Sequence, residues 1–290
     1  MPYHRAMRPL LKLLVALPAL AAGGCAPADL VNALASDAGL HRVADLRYGA
    51  AARQTLDLYV PDAAPGPRPV VVFFYGGNWQ SGDKAMYRFV GATLAARGFV
   101  VVVPDYRLYP EVRYPGFIED GADAVRWTFA HISRYGGDPA RVSLMGHSAG
   151  AYIALMLALD PEWLGALRGR IRSAVGLAGP YDFLPLTDPA LQRIFATAPD
   201  LAATQPITYA DGTAPPVLLA TGRLDGVVRP ANTTRLAQRI RAAGGRAATA
   251  YYALLGHVTL IGALGEPLEH VTPVLDDVTR FLAAPAADVH

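Results

Sequence analysis

Arg141-Val142-Ser143-Leu144-Met145 runs into Gly146-His147-Ser148-Ala149-Gly150 and then into Ala151-Tyr152-Ile153-Ala154-Leu155-Met156-Leu157-Ala158-Leu159. The first segment is short and largely apolar, as a buried strand should be. The last is longer and rich in Ala and Leu, which favours helix. The residues between them are small, as a sharp strand-to-helix turn demands, and such a turn places the serine side chain above the sheet. The helix that starts there aims its free N–H groups and positive dipole end at the same spot. A Gly-x-Ser-x-Gly run occurs by chance in many chains; the strand-turn-helix setting gives this one its weight.

The alternation continues in both directions. Residues 43–48 and 54–60 read as two strands forming an antiparallel entry to a sheet. Residues 69–75 contain Val70-Val71-Val72-Phe73-Phe74, continuously apolar, as a strand covered on both faces should be. A helix over 84–97, a second buried strand over 99–104 and a helix over about 117–135 follow. Beyond residue 159 come strands at 173–177, 217–221 and 248–254, with helices at 230–243 and about 267–283. This order predicts an α/β fold over residues 42–284: a mostly parallel twisted sheet with helices on both faces and right-handed crossovers. Residues 182–215 lack periodicity and are long for a connection, so they read as a small lid.

Composition narrows the function classes. The chain is 52% hydrophobic and 17% charged over 290 residues, enough apolar content for one large core and too little charge for disorder. Its net charge of +2 includes Arg5, Arg8 and Lys12, which lie in a segment expected to be removed. Nothing in this balance steers the protein to nucleic acid, and basic patches with interleaved aromatics are absent.

Residues 1–24 read as an export signal. Basic residues precede Leu13-Leu14-Val15-Ala16-Leu17-Pro18-Ala19-Leu20-Ala21-Ala22, a run too short and too interrupted by Pro18 to span a bilayer of ~30 Å. Gly23-Gly24 lead straight to Cys25, the sole cysteine, which resembles a bacterial lipobox in which the cysteine becomes lipidated. Ala22 stands where that pattern usually has Leu, and ordinary cleavage near Ala22 or Ala26 is the plainer reading. The expectation is an exported, periplasm-facing envelope lipoprotein with a tether and short helix over 25–41 and a tail over 285–290.

In a doubly wound sheet the ligand site lies beyond the carboxyl ends of the strands. Ser148 needs a base there, because a free hydroxyl is a poor nucleophile at neutral pH. His4 and His290 lie near the ends, His41 precedes the sheet, His131 and His270 fall on expected helices, and His147 adjoins the serine pointing away. His257 follows the last strand, in Leu255-Gly256-His257-Val258, a loop from which a flexible imidazole can reach back over Ser148. Its cation needs a carboxylate, and Asp225 stands just beyond the strand at 217–221 and gives the chain order Ser, Asp, His. Asp182 is the rival acid, but it opens the expected lid. Tyr75-Gly76-Gly77-Asn78-Trp79 ends the first buried strand, and the amides of Gly77, Asn78 and Ala149 are candidates for an oxyanion hole. Trp79 and Tyr181 are candidate walls of a substrate pocket, or else loop packing. No His-Glu-x-x-His or clustered Cys/His set calls for a metal.

The set Gly76-Gly77-Asn78-Trp79, Asp105-Tyr106-Arg107-Leu108-Tyr109-Pro110-Glu111, residues 146–150, Asp225 and His257 resembles the esterase branch of the α/β-hydrolases. It is similar to carboxylesterases of the hormone-sensitive-lipase type and to the H-G-G-x-W group that includes arylformamidases, over about residues 43–283. The resemblance implies the α/β-hydrolase fold and hydrolysis of a small or medium ester by a Ser-His-Asp triad through an acyl-enzyme, without a cofactor. Tyr75 replaces the usual His, so a phenol would take over a hydrogen bond behind the site. The stretch before residue 43 is short for the large cap of many lipase-type relatives, which argues against bulky lipid substrates. Asp105 and Arg107 are expected to bond loops beneath the site. Two other classes stay open: an amidase of arylformamidase type, which uses the same apparatus, and a non-catalytic envelope binding protein on a hydrolase fold. Oligomeric state is not legible.

Overall fold

The computed structural model describes residues 27–62 and 66–284. The expected leader, Cys25 and the tail over 285–290 lie outside the described residues. Among the described residues eight strands form one sheet: β1 (Leu40–Arg47), β2 (Thr55–Pro61), β3 (Arg68–Phe74), β4 (Val100–Pro104), β5 (Gly137–His147), β6 (Ile171–Leu177), β7 (Val217–Gly222) and β8 (Ala247–Tyr252). Their order across the sheet is β1-β2-β4-β3-β5-β6-β7-β8. β2 runs against both of its neighbours, and every later pairing is parallel. The central strands are buried on both faces, which is why they read as unbroken runs of Val, Leu and Phe.

The helices are α1 (Pro27–Leu34), α2 (Arg88–Ala96), α3 (Gly116–His131), α4 (Ala149–Leu159), α5 (Pro161–Leu164), α6 (Pro189–Ile194), α7 (Ala231–Ala242), α8 (His257–Gly262) and α9 (Val274–Ala283). Successive strand residues point to opposite faces, and they separate the helices into two layers. Tyr252 reaches Asp277 of α9, whereas Tyr251 meets Thr234 of α7. Arg97, just past α2, pairs with Asp276 of α9, and Asn32 of α1 accepts from the Phe89 amide of α2. α1, α2 and α9 therefore cover one face. Gly121 of α3 abuts Ile153 and Leu157 of α4 and Phe74 of β3, so α3 and α4 cover the other with α7. Among the described residues no helix is long and apolar enough to cross a membrane.

Three sequence expectations need correction. β1 starts at Leu40, inside the expected tether, because Leu40 is buried and pairs with Pro61. The helix expected over 84–97 opens with a 3-10 turn, Ala85–Tyr87, before α2. The helix expected over about 267–283 is broken into a 3-10 turn, Leu268–His270, and α9; Pro273 between them offers no N–H to carry a helix through.

The chain steps from β3 outward to β4 and then back across β3 to β5. This reversal opens a crevice at the carboxyl ends of β3 and β5, where a doubly wound sheet binds its ligand. The turn after β3 and the turn carrying Ser148 both end there. Residues 182–215, read as a lid, hold α6 and the short turns Ala202–Thr204 and Pro206–Tyr209. They are pinned to the body by Tyr152 Oη donating to the Thr204 carbonyl at 2.8 Å and by the Tyr114 amide donating to the Ile194 carbonyl at 3.0 Å.

Candidate active site

Ser148 sits between β5 and α4 with φ 54° and ψ −124°, a left-handed conformation that L-residues avoid at about 1–3 kcal/mol. The surroundings enforce it. The Ser148 amide donates to the Leu177 carbonyl of β6 at 2.9 Å, and every residue of α4 is buried. A Cβ on Gly150 would lie 2.0 Å from the Phe74 carbonyl oxygen, so only glycine lets α4 start this close to β3.

His257 Nε2 lies 2.9 Å from Ser148 Oγ, and His257 Nδ1 lies 2.8 Å from Asp225 Oδ2. The carboxylate accepts the Nδ1–H, which leaves the Nε2 lone pair to accept the serine hydroxyl. Asp225 is itself fixed, because its Oδ1 accepts the amides of Val227 at 2.9 Å and Val228 at 2.8 Å. Burial alone would raise the Asp225 carboxyl, but the hydrogen bonds from His257, Val228 and Val227 outweigh it and hold the group below its ordinary value of 3.8. His257, expected on a loop, instead opens α8, where the Gly256 amide donates to Thr259 Oγ1 at 2.8 Å. Asp182, the rival acid, is turned away and pairs with Arg235 at 2.5 Å.

His147 adds a contact that its position next to the serine only hinted at. Its Nε2–H donates to the main-chain carbonyl of His257 at 3.2 Å, and the two rings lie 4.8 Å apart. Burial first, and then the neighbouring His257, push His147 down to about 3, so it stays neutral. It thus ties the turn bearing Ser148 to the backbone of His257.

The turn after β3 supplies three unusual backbones in a row: Gly77 at φ 138°, Asn78 at 53° and Trp79 at 58°. The Gly77 carbonyl accepts the amides of Gln80 and Ser81, both at 3.0 Å, and a Cβ on Gly77 would meet the Ser81 carbonyl at 2.0 Å. The amides of Gly77, Asn78 and Ala149 donate to no protein acceptor among the described residues. These donors, beside Ser148, can stabilise negative charge on an attacked carbonyl oxygen.

Behind this turn lies a buried polar network. Tyr75 Oη donates to Asp105 Oδ1 at 2.8 Å and accepts from the Arg53 guanidinium at 2.7 Å. Asp105 Oδ1 also accepts the Lys84 amide at 2.8 Å, and Arg53 donates to the Gly82 carbonyl at 2.8 Å. Burial keeps the Tyr75 phenol protonated. Asp105 therefore clamps both ends of the turn, while Arg107 pairs with buried Asp120 at 2.7 Å. Arg53 and Lys84 were not singled out from sequence, where each stands as a lone basic residue outside any motif.

Trp79 and Tyr181 do not wall an open pocket in this conformation. They are 2% and 0% exposed. Trp79 packs against Phe117, Tyr152, Phe183 and Phe195 at 5.1–6.3 Å between ring centroids, because its positive φ turns the indole off the surface into this aromatic cluster. Phe195 also lines a cavity of about 670 Å³ in the 182–215 segment, with Leu184, Leu186, Ala198 and Leu201.

Comparison with known proteins places this geometry among relatives. Residues 56–240 match the family model BD-FAE. An isoprenylcysteine alpha-carbonyl methylesterase of Arabidopsis thaliana is 30% identical over 82% of this chain and 61% of its own length. Esterase LipC of Mycobacterium tuberculosis is 30% identical over 83% of this chain and 66% of its own. The chain thus spans less than two thirds of either relative. Among solved structures, esterase B of Lactobacillus rhamnosis inhibited by a tributyrin phosphonate superposes with a TM-score of 0.75 at 25% identity, covering 94% of this chain and 95% of that one.

Proposed function

The chain belongs to the BD-FAE family, in the esterase group of the α/β-hydrolases, and we propose that it hydrolyses a small or medium carboxylic ester through Ser148, His257 and Asp225. The observation that carries this reading is the continuous path from Ser148 Oγ through both imidazole nitrogens to Asp225, at 2.9 and 2.8 Å, beside three unpaired amides. Ser148 Oγ attacks the ester carbonyl while His257 Nε2 takes its proton. Charge on the carbonyl oxygen falls to the amides of Gly77, Asn78 and Ala149, each worth about 3 kcal/mol of barrier. Asp225 holds the Nδ1–H and stabilises the imidazolium. The Nε2–H then passes to the leaving alcohol, and a water activated by the same nitrogen releases the acid from Ser148. The names of the relatives, and the phosphonate-inhibited esterase of the same fold, support an ester as the bond broken.

Ser148→Ala should abolish turnover of p-nitrophenyl acetate and labelling by a fluorophosphonate. Retained turnover in that variant would remove Ser148 from the chemistry, and faster cleavage of N-formylkynurenine than of esters by the native protein would make it an amidase.

The leader supports a second proposal: export of the chain with a lipid on Cys25, in the bacterial envelope. Basic residues, an apolar run and Gly23-Gly24 before the sole cysteine are its support. Cys25→Ser should release the protein from the membrane fraction of expressing cells; equal retention of the variant would refute lipidation.

A further inference from the structure

The four most exposed large aliphatic side chains among the described residues are Leu254 at 85%, Val227 at 72%, Leu224 at 65% and Val258 at 58%. Leu224 and Val227 lie on the turn that carries Asp225, Leu254 on the turn just before His257, and Val258 beside His257 at the start of α8. The turns are joined edge to edge: the Arg223 amide donates to the Tyr252 carbonyl at 2.9 Å and the Leu224 amide to the Leu255 carbonyl at 3.0 Å. Single exposed aliphatics are ordinary on a soluble surface, but a cluster gathered at one mouth marks a contact surface. Within the two segments that bear it the unpaired charges have one sign, Arg235 alone of the arginines being paired, with Asp182. Arg223 and Arg229 are exposed and make no ion pair among the described residues, the Arg223 guanidinium lying 5.3 Å over the Tyr251 ring. Asp225 is the only acid in residues 223–235, and it is buried against His257; residues 253–263 contain none.

We propose that this rim docks the protein on an anionic lipid surface, so that esters held in the lipid enter the site directly from it. Aliphatic side chains that enter the headgroup boundary, flanked by arginines whose long stems let the charge remain at headgroup level, match such a surface in both shape and sign. A soluble acidic partner would be met by the two arginines but would leave four aliphatics facing water-loving groups. The docking itself does not depend on the esterase reading; only delivery of substrate rests on it.

The test uses the full chain with Ser148→Ala, so that binding is read without turnover, and adds Leu254→Trp as a reporter on the rim. Vesicles of phosphatidylglycerol and phosphatidylcholine should shift the added emission to the blue, with about tenfold weaker binding to phosphatidylcholine alone. Because the reporter sits on the rim, vesicle binding through the leader alone would leave its emission unchanged, and that result would overturn the proposal. A blue shift that grows with protein concentration in the absence of vesicles would also overturn it, since a second copy would then cover the rim. In the active protein, Leu224→Ser with Leu254→Ser should leave hydrolysis of dissolved p-nitrophenyl acetate unchanged. The same variant should slow hydrolysis of tributyrin held in the phosphatidylglycerol vesicles by about tenfold. Equal loss on both substrates would show that the rim serves the site and not the lipid surface.

Discussion

His147 shows how one buried side chain couples the site to pH. Its folded value near 3 lies far below the ordinary 6.5, so between these limits the unfolded chain takes up a proton that the native protein refuses. Stability should therefore be complete above about pH 6.5 and fall as the pH drops toward 3, with a slope approaching about 1.4 kcal/mol per pH unit from this group. His147→Asn keeps a donor for the His257 carbonyl but cannot titrate. Urea unfolding from pH 4 to about pH 7 should give a flatter profile for the variant; parallel profiles would mean that His147 is protonated in the native state. That Ser148, Asp225 and His257 meet was legible because each lies within two residues of a glycine in the turn after a strand, a local signal. Arg53 and Lys84 were not, since a charged residue near a turn looks like surface until tertiary closure brings it against Tyr75 and Asp105.

α8 turns a loop position into a fixed one. Its six residues begin at His257, and the Gly256 amide is held by Thr259 Oγ1. Thr259→Val keeps the shape and removes the acceptor, freeing the start of the helix that orients the imidazole. We expect kcat on p-nitrophenyl acetate to fall about tenfold with KM little changed, because misplacement of the base affects the reacting geometry more than ground-state binding. A change confined to KM would show instead that Thr259 acts on substrate binding. The central strands were read with little error, since both-face burial leaves short runs rich in Val and Phe; α4, buried at every residue, is told from them by its length and its Ala and Leu. The short helices α5, α6 and α8 were not, being too brief to show periodicity. Residues 182–215 also hid their packing, because their contacts are aromatic and come from elements distant in sequence: Phe183 and Phe195 meet Trp79 and Tyr152.

At the level of the whole molecule, the parallel ladder acts as the frame on which the site is hung. Ser148 follows β5, Asp225 follows β7 and the base follows β8, with β6 between the first two, so the hydrogen-bonded spacing of the strands sets where the groups can meet. The oxyanion turn follows β3 on the other side of β5. Asp120 is fully buried and accepts from the Arg107 guanidinium and from Gln54, joining α3 to the segments that precede β2 and follow β4. No short stretch of chain holds enough of these parts to cleave a bond by itself. Under the proposed chemistry, turnover is consequently a report on assembly: a chain whose last two strands have not yet docked has Ser148 without Asp225 or His257 beside it, and remains inert. A site built this way is incomplete throughout folding and comes together only when the far edge of the sheet is in place.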